Sequence, residues 1–157
     1  MTEKDIFSRG HQRESATTLN LLKALPVDKG ELKPHAKSRT ARELAFVLAN
    51  QELFYKQAAA GIGDFALLAN PVPATMAEVI AAFEANSAAV DAALAASSDA
   101  DLNQIMNFAG HDMRRIDAMW ANMFDLVHHR GQFSVYVRMS GAAVPSIYGP
   151  TADFPGI

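Results

Sequence analysis

The sequence of 157 residues contains no cysteine. That absence excludes disulfide bonds, thiolate nucleophiles, iron–sulfur clusters and cysteine-ligated zinc. Positive charge is also scarce: 14 lysines and arginines stand against 17 acidic residues, so the chain lacks the basic excess with which proteins bind nucleic-acid phosphates. There are only five histidines. A metal site would therefore have to be built from a few histidines together with carboxylates.

The chain also lacks a long uninterrupted apolar segment. Residues 1–14 are polar and contain no apolar core of signal-peptide length. The alanine-rich segment 75–97 is interrupted by Glu78, Glu84 and Asp91, charges that a bilayer span tolerates poorly. We therefore expect a soluble, cytoplasmic protein whose partners include neither membranes nor nucleic acids.

What the chain does contain is enough apolar material for one packed core. Half of its residues are hydrophobic, and its length suits one ordinary domain, so we expect a single domain over residues 1–157. Apolar residues recur at helical spacing over four segments, which predicts one-sided helices. These segments are approximately 4–25, 40–59, 75–96 and 112–139. Four such helices predict an all-α fold, namely a four-helix bundle.

Local signals support the helix starts. Thr40 precedes Glu43 by three residues, and Thr75 precedes Glu78 by the same interval, so both pairs predict capping boxes. Asp112 is the expected N-cap of the fourth helix. No stretch alternates strictly enough to predict a sheet, and residues 101–110 are expected to be irregular.

One polar stripe on the fourth helix is the best place for chemistry. Its members are spaced by three and four residues and therefore share one helix face; they are Asn122, Asp125, His129, Gln132 and Tyr136. Asp125 and His129 could bind one metal ion together. The alternative is a solvent-exposed face on which the pair contributes about 0.2–0.5 kcal/mol. The other candidates His11, His35 and His111 are isolated, which favours surface positions.

Three segments carry a resemblance to a known family. Residues 124–138 (FDLVHHRGQFSVYVR), 144–153 (VPSIYGPTAD) and 34–45 (PHAKSRTARELA) resemble the DinB-like (DinB/YfiT-like) metalloenzyme superfamily. The resemblance implies a four-helix bundle, often a homodimer, with a divalent metal such as zinc or nickel between helices. Some relatives transfer low-molecular-weight thiols. The family name refers to induction by DNA damage.

The family's usual site is three histidines, one on the second helix and two on the fourth. Carried over residue by residue, these positions fall on Val47, Asp125 and His129, so only His129 is retained. Glu43 and Gln51 lie one turn on either side of Val47, and Asn50 is close to that face, so one of the three could complete a site. Asn122, Gln132 and Tyr136, which lie on the same stripe, are expected to line a pocket and could orient a ligand. Arg130 could attract an anionic substrate, or it could be a surface or dimer-contact residue.

Two hypotheses follow. The first is a divalent-metal-dependent enzyme, of the thiol transferase or hydrolase type, with a degenerate metal site. The second is a non-catalytic dimeric four-helix bundle that binds a small molecule or a partner without metal. The spacing of Asp125 and His129 favours the first, whereas Val47, which has no donor atom, favours the second.

Overall fold

A computed structural model describes residues 1–63 and 69–155 of the chain. Within these ranges the elements are, in chain order, α1 (Glu3–Ala24), a 3₁₀ turn (Val27–Lys29), α2 (Ala41–Ala59), α3 (Met76–Ala96), α4 (Asp99–Leu102), β1 (Ile105–Phe108), β2 (His111–Arg114) and α5 (Arg115–Met139). The described part of the chain is therefore mostly helical, as predicted, with one small sheet in addition.

The predicted capping boxes are present. The Thr40 hydroxyl accepts from the backbone amide of Glu43, and the Glu43 carboxylate accepts from the amide of Thr40 at 2.7 Å. Thr75 and Glu78 make the same reciprocal pair at the start of α3. Each box satisfies two amides that the helix leaves without partners, and this explains why α2 and α3 begin where the sequence predicted.

The segment between α3 and α5 differs from the prediction. Residues 101–110 are not irregular, and Asp112 does not cap a helix: it lies in β2, and α5 begins at Arg115. β1 and β2 pair antiparallel, with Phe108 opposite His111. The two residues between them, Ala109 and Gly110, both have positive φ angles, 51° and 86°. Such a two-residue turn matches the twist of a hairpin, and glycine in its second position lowers the strain.

The four long helices pack around one core. α2 contacts both α3 and α5, and α1 contacts the same two helices. The core contains side chains from all four helices, among them Phe7, Tyr55, Phe83 and Phe133, each at most 1% exposed. This arrangement places α2 and α5 side by side, so the polar stripe predicted on the fourth helix can meet residues of α2.

Among the described residues, one helix is long and apolar enough to cross a membrane by length and composition. It is α3, with a mean hydropathy of 1.4 over 18 residues, 22% of which are buried. Core helices of soluble proteins can have the same composition.

Candidate ligand-binding cleft between α2 and α5

A cleft of about 450 Å³ lies where α2 passes α5. Apolar and polar side chains both line it: Val47, Asn50, Gln51, Phe54, Phe108, Ala121, Asn122 and Asp125. Four of the residues predicted to line a pocket or hold a metal are therefore together here. The hairpin, which the sequence did not predict, contributes Phe108 to the wall.

Hydrogen bonds join the two helices beside this cleft. The Gln51 amide nitrogen donates to Asp125 Oδ2 at 2.5 Å, and the Asn122 amide nitrogen donates to the Gln51 carbonyl oxygen at 3.0 Å. Gln51 is buried, whereas the Asp125 side chain is 56% exposed. One face of the Asp125 carboxylate is thus satisfied by the protein, and the carboxylate still reaches solvent.

His129 lies one turn further along α5. Its Nε2 atom is 3.9 Å from Asp125 Oδ2, beyond hydrogen-bond distance, and its Nδ1 atom is buried with no hydrogen-bond partner among the described residues. Burial is the main cause that lowers the pKa of His129. The Asp125 carboxylate opposes this shift, while His128 and Arg39 add to it. A neutral imidazole is therefore favoured at neutral pH.

The fit of a divalent metal depends on the donor atoms that these side chains present. A three-donor site of the family type needs a ligand on α2, but Val47 has none, and the nearby Glu43 carboxylate accepts the Thr40 amide, whose hydrogen bond is the main cause of its lowered pKa. Gln51 turns an amide N–H toward Asp125, while the Oε1 atom of the same amide is buried without a hydrogen-bond partner among the described residues. Residues 1–63 and 69–155 contain no group of three His, Cys, Asp or Glu side chains able to hold a metal. The donor set does not fit the three-ligand site.

The buried Nδ1 of His129 leads to the same conclusion. A histidine that binds metal through one ring nitrogen almost always donates its other N–H to a carboxylate, a carbonyl or water. His129 Nδ1 has no carboxylate or carbonyl partner among the described residues. No protein group there would therefore orient the ring for a metal at Nε2.

The far end of the predicted stripe faces a different cavity. Gln132 and Tyr136 line a space of about 690 Å³ between α5 and the loop before α2. The Tyr136 hydroxyl donates to the Arg39 carbonyl oxygen at 2.8 Å, and the side-chain nitrogens of Gln132 and His128 are 2.8 Å apart. Glu43 lines a third space of about 370 Å³, which lies beside Val47. The expected pocket residues are consequently distributed over three adjoining cavities.

Sequence reasoning missed a buried polar cluster in the core. His11, expected at the surface, is 1% exposed, and its Nε2 lies 2.7 Å from Oε2 of Glu52, which is fully buried. Ser15 donates to Glu52 Oε1 at 2.8 Å. His11 and Ser15 are four residues apart and so share a face of α1. That periodicity was the available signal, although nothing local identified Glu52 as their partner.

Arg130 was also misplaced by sequence reasoning. It is 1% exposed, so it is neither a surface residue nor open to an anionic substrate. Its guanidinium lies 2.6 Å from the Glu14 carboxylate and also hydrogen bonds to the Tyr148 hydroxyl. Tyr148 in turn donates to Glu14 at 2.7 Å. Arg130 therefore fastens the segment after α5 onto α1.

Comparisons with known proteins agree with this architecture. The family model of the DinB superfamily matches residues 11–133. The Bacillus subtilis (strain 168) protein YrdA is 36% identical over 85 residues, which are 53% of this chain and 50% of YrdA. The chain thus matches about half the length of that relative.

Two crystal structures share the fold. A DinB-like protein from Bacillus cereus ATCC 10987 superposes with a TM-score of 0.78 at 23% identity, covering 90% of this chain and 95% of the other. The DinB-like protein YjoA of Bacillus subtilis gives a TM-score of 0.75 at 19% identity, covering 90% and 96%. The family model covers most of the chain and these structures repeat its fold, so the chain belongs to the DinB superfamily.

Proposed function

We propose that this chain binds a small organic molecule in the cleft between α2 and α5, and that it does so as a non-catalytic member of the superfamily without a resident metal. The apolar walls from Val47, Phe54 and Phe108 would hold the body of the ligand. Asn122 and Asp125 would orient it by hydrogen bonds. A ligand that combines an apolar body with a donor group suits these walls.

The observation that carries this proposal is the hydrogen bond between Gln51 and Asp125. It joins α2 to α5 at the place where the family's metal site would require a ligand from each helix. An amide N–H directed at the carboxylate already compensates part of its charge, which is the role that a cation would otherwise have. The adjoining Val47 adds apolar surface in place of a donor.

The second candidate function is the metal-dependent enzyme of the thiol transferase or hydrolase type. One observation favours it: Asp125 Oδ2 and His129 Nε2 are 3.9 Å apart. Two ligands at about 2.0–2.2 Å from a shared zinc ion could have this separation. With only these two donors, the remaining positions would have to be filled by water or by the substrate.

A fluorescent probe tests the binding proposal. The uncharged dye N-phenyl-1-naphthylamine should bind the protein with a rise in fluorescence, because its naphthyl and phenyl groups suit the apolar walls. Ala121 lines the cleft and is exposed, so Ala121→Trp should fill the space and weaken binding at least about tenfold, a free-energy change of about 1.4 kcal/mol. The matched control is Ala81→Trp, at an exposed position on α3.

The same preparation separates the two functions. Under the binding proposal, elemental analysis of protein purified without chelator shows less than stoichiometric metal, and chelation changes neither dye affinity nor melting temperature. Stoichiometric zinc or nickel that His129→Ala removes would overturn it in favour of the enzyme. Dye binding that Ala121→Trp and Ala81→Trp weaken equally would also count against this cleft.

The four-helix bundle, the single domain and the cytoplasmic location belong to the same proposal. The mutual contacts of α1, α2, α3 and α5 support a bundle. A homodimer is supported by an exposed apolar stripe on α5: Phe124, Val135 and Met139 are 71%, 53% and 49% exposed and lie at near-integral helical turns from one another. Exposed apolar side chains that share one helix face are available to pack against a second copy of the chain.

We expect Phe124→Glu to convert a dimer into a monomer, because a buried carboxylate without a partner opposes association. Light scattering coupled to size-exclusion chromatography gives the mass directly. Ile105→Glu, at a position 63% exposed on the hairpin, is the control and should leave the mass unchanged. The proposed interface would be refuted by a monomeric wild-type protein or by a Phe124→Glu variant that still has the mass of a dimer.

A further inference from the structure

The three cavities adjoin one another along α2. Val47 and Asn50 line both the α2–α5 cleft and the middle cavity of about 370 Å³. The segment Lys37–Ser38–Arg39 lines both the middle cavity and the far cavity of about 690 Å³. A ligand in the cleft therefore needs only to pass Val47 to reach the loop that precedes α2.

Charge is segregated along this groove. Asp125 lines the cleft, whereas Lys37 and Arg39 line both of the other cavities. The acidic residue beside them, Glu43, has its carboxylate engaged at the N-terminus of α2. Neither Lys37 nor Arg39 forms an ion pair with any residue of the described ranges, although most other arginines of the chain lie within ion-pair or hydrogen-bond distance of protein groups.

The loop that carries these cations is held in place. The Tyr136 hydroxyl donates to the Arg39 carbonyl oxygen at 2.8 Å. The Ser38 amide donates to the His35 carbonyl at 2.9 Å, and the Lys37 amide lies 3.1 Å from His35 Nδ1. Thr40, the next residue, is fixed by its capping box. A backbone ordered before binding reduces the entropy that a ligand must offset.

We infer that Lys37 and Arg39 form a subsite for the anionic group of the ligand, a carboxylate or a phosphate. Guanidinium and ammonium groups bind both anions by charge-assisted hydrogen bonds, and Ser38 and Gln132 add neutral donors on the same walls. The ligand class is then an elongated small molecule with an apolar body in the cleft and an acidic arm that passes Val47. This inference rests on the proposed function, because it assumes that the cleft holds the apolar body.

Three competitors that share a naphthyl group and a four-carbon arm test the subsite. They are 4-(1-naphthyl)butan-1-ol, 4-(1-naphthyl)butyrate and 4-(1-naphthyl)butyl phosphate, each used to displace N-phenyl-1-naphthylamine. The two anions should displace the dye at roughly tenfold lower concentration than the alcohol. The stronger of the two identifies carboxylate or phosphate as the preferred group. The difference between the anions and the alcohol should decrease as salt is added, because Lys37 and Arg39 are exposed and salt screens exposed charges.

Substitutions in the loop before α2 test which side chains cause the stronger displacement by the anions. Arg39→Gln and Lys37→Gln should each remove most of the anion advantage and leave displacement by the alcohol unchanged. Lys33→Gln removes the same charge from the same loop but from a side chain outside these cavities, so it should preserve the advantage. Equal displacement by anion and alcohol, or equal effects of Arg39→Gln and Lys33→Gln, would overturn the subsite. Failure of the dye to bind would instead overturn the proposed function.

Discussion

Replacing Arg130 with alanine should lower the free energy of unfolding by about 3–5 kcal/mol, the usual cost of removing one partner of a buried ion pair. The Arg130 side chain is 1% exposed and that of Glu14 is 14% exposed, with 2.6 Å between Nη2 and Oε2. The same guanidinium reaches the Glu14 carbonyl at 3.2 Å and the buried Thr18 hydroxyl at 3.3 Å. Its Cζ also lies 5.0 Å from the centre of the Tyr148 ring. Alanine removes this charged donor, so the Glu14 carboxylate keeps only the neutral Tyr148 hydroxyl among its described partners, and a space remains where the side chain was.

Urea unfolding at neutral pH measures this loss. Arg138→Ala is the matched control, because Arg138 also pairs with a carboxylate, Asp153, but both side chains are partly exposed, 48% and 25%. An exposed pair contributes about 0–1 kcal/mol, so this variant should unfold close to the wild-type midpoint. Tyr148→Phe removes only the hydroxyl that contacts Arg130 and Glu14, so its loss of unfolding free energy should lie between those of the two arginine variants. If Arg130→Ala and Arg138→Ala destabilised the protein equally, the buried pair of Arg130 and Glu14 would contribute no more to stability than an exposed ion pair.

The structure also shows which features the sequence could reveal. Helices α2 and α3 begin as predicted because their starts depend on residues three positions apart, Thr40 with Glu43 and Thr75 with Glu78. The family resemblance was read from contiguous segments, and the family match bears it out. In each case the information lies within one short stretch of chain.

Contacts between residues far apart in the sequence could not be predicted from such short segments. His11 is buried because Glu52, 41 residues away, accepts its hydrogen bond. Arg130 is buried because Glu14, on α1, neutralises it. The hairpin was missed because its turn is Ala109–Gly110 instead of the Asn-Gly or Asp-Gly pair that usually marks such a loop. Likewise, the spacing on α5 placed Asp125 and Gln132 on one face, but Asp125 lines the cleft with residues of α2, whereas Gln132 lines another cavity with the loop that carries Arg39.

The buried pair of His11 and Glu52 leads to a second large effect. We expect His11→Leu to destabilise the protein by about 3–5 kcal/mol, because the fully buried Glu52 carboxylate then keeps the Ser15 hydroxyl, at 2.8 Å, as its one side-chain donor among the described residues. Leucine keeps much of the volume of the imidazole beside Tyr55, whose ring centre lies 5.3 Å away. The loss of stability in His11→Leu should therefore come mainly from the unpaired Glu52 carboxylate and only slightly from a cavity.

A double-mutant cycle separates these causes. Replacing both partners of a buried polar pair by apolar groups can be nearly neutral, so His11→Leu combined with Glu52→Met should regain most of the stability that His11→Leu loses. The control cycle uses Lys23→Ala and Glu84→Ala, an exposed pair at 2.7 Å whose side chains are 52% and 45% exposed. Its coupling should stay below about 1 kcal/mol. A His11–Glu52 coupling as small as that of the exposed pair would show that the two groups are stabilised independently, and the core cluster would then be three separate polar residues rather than one network.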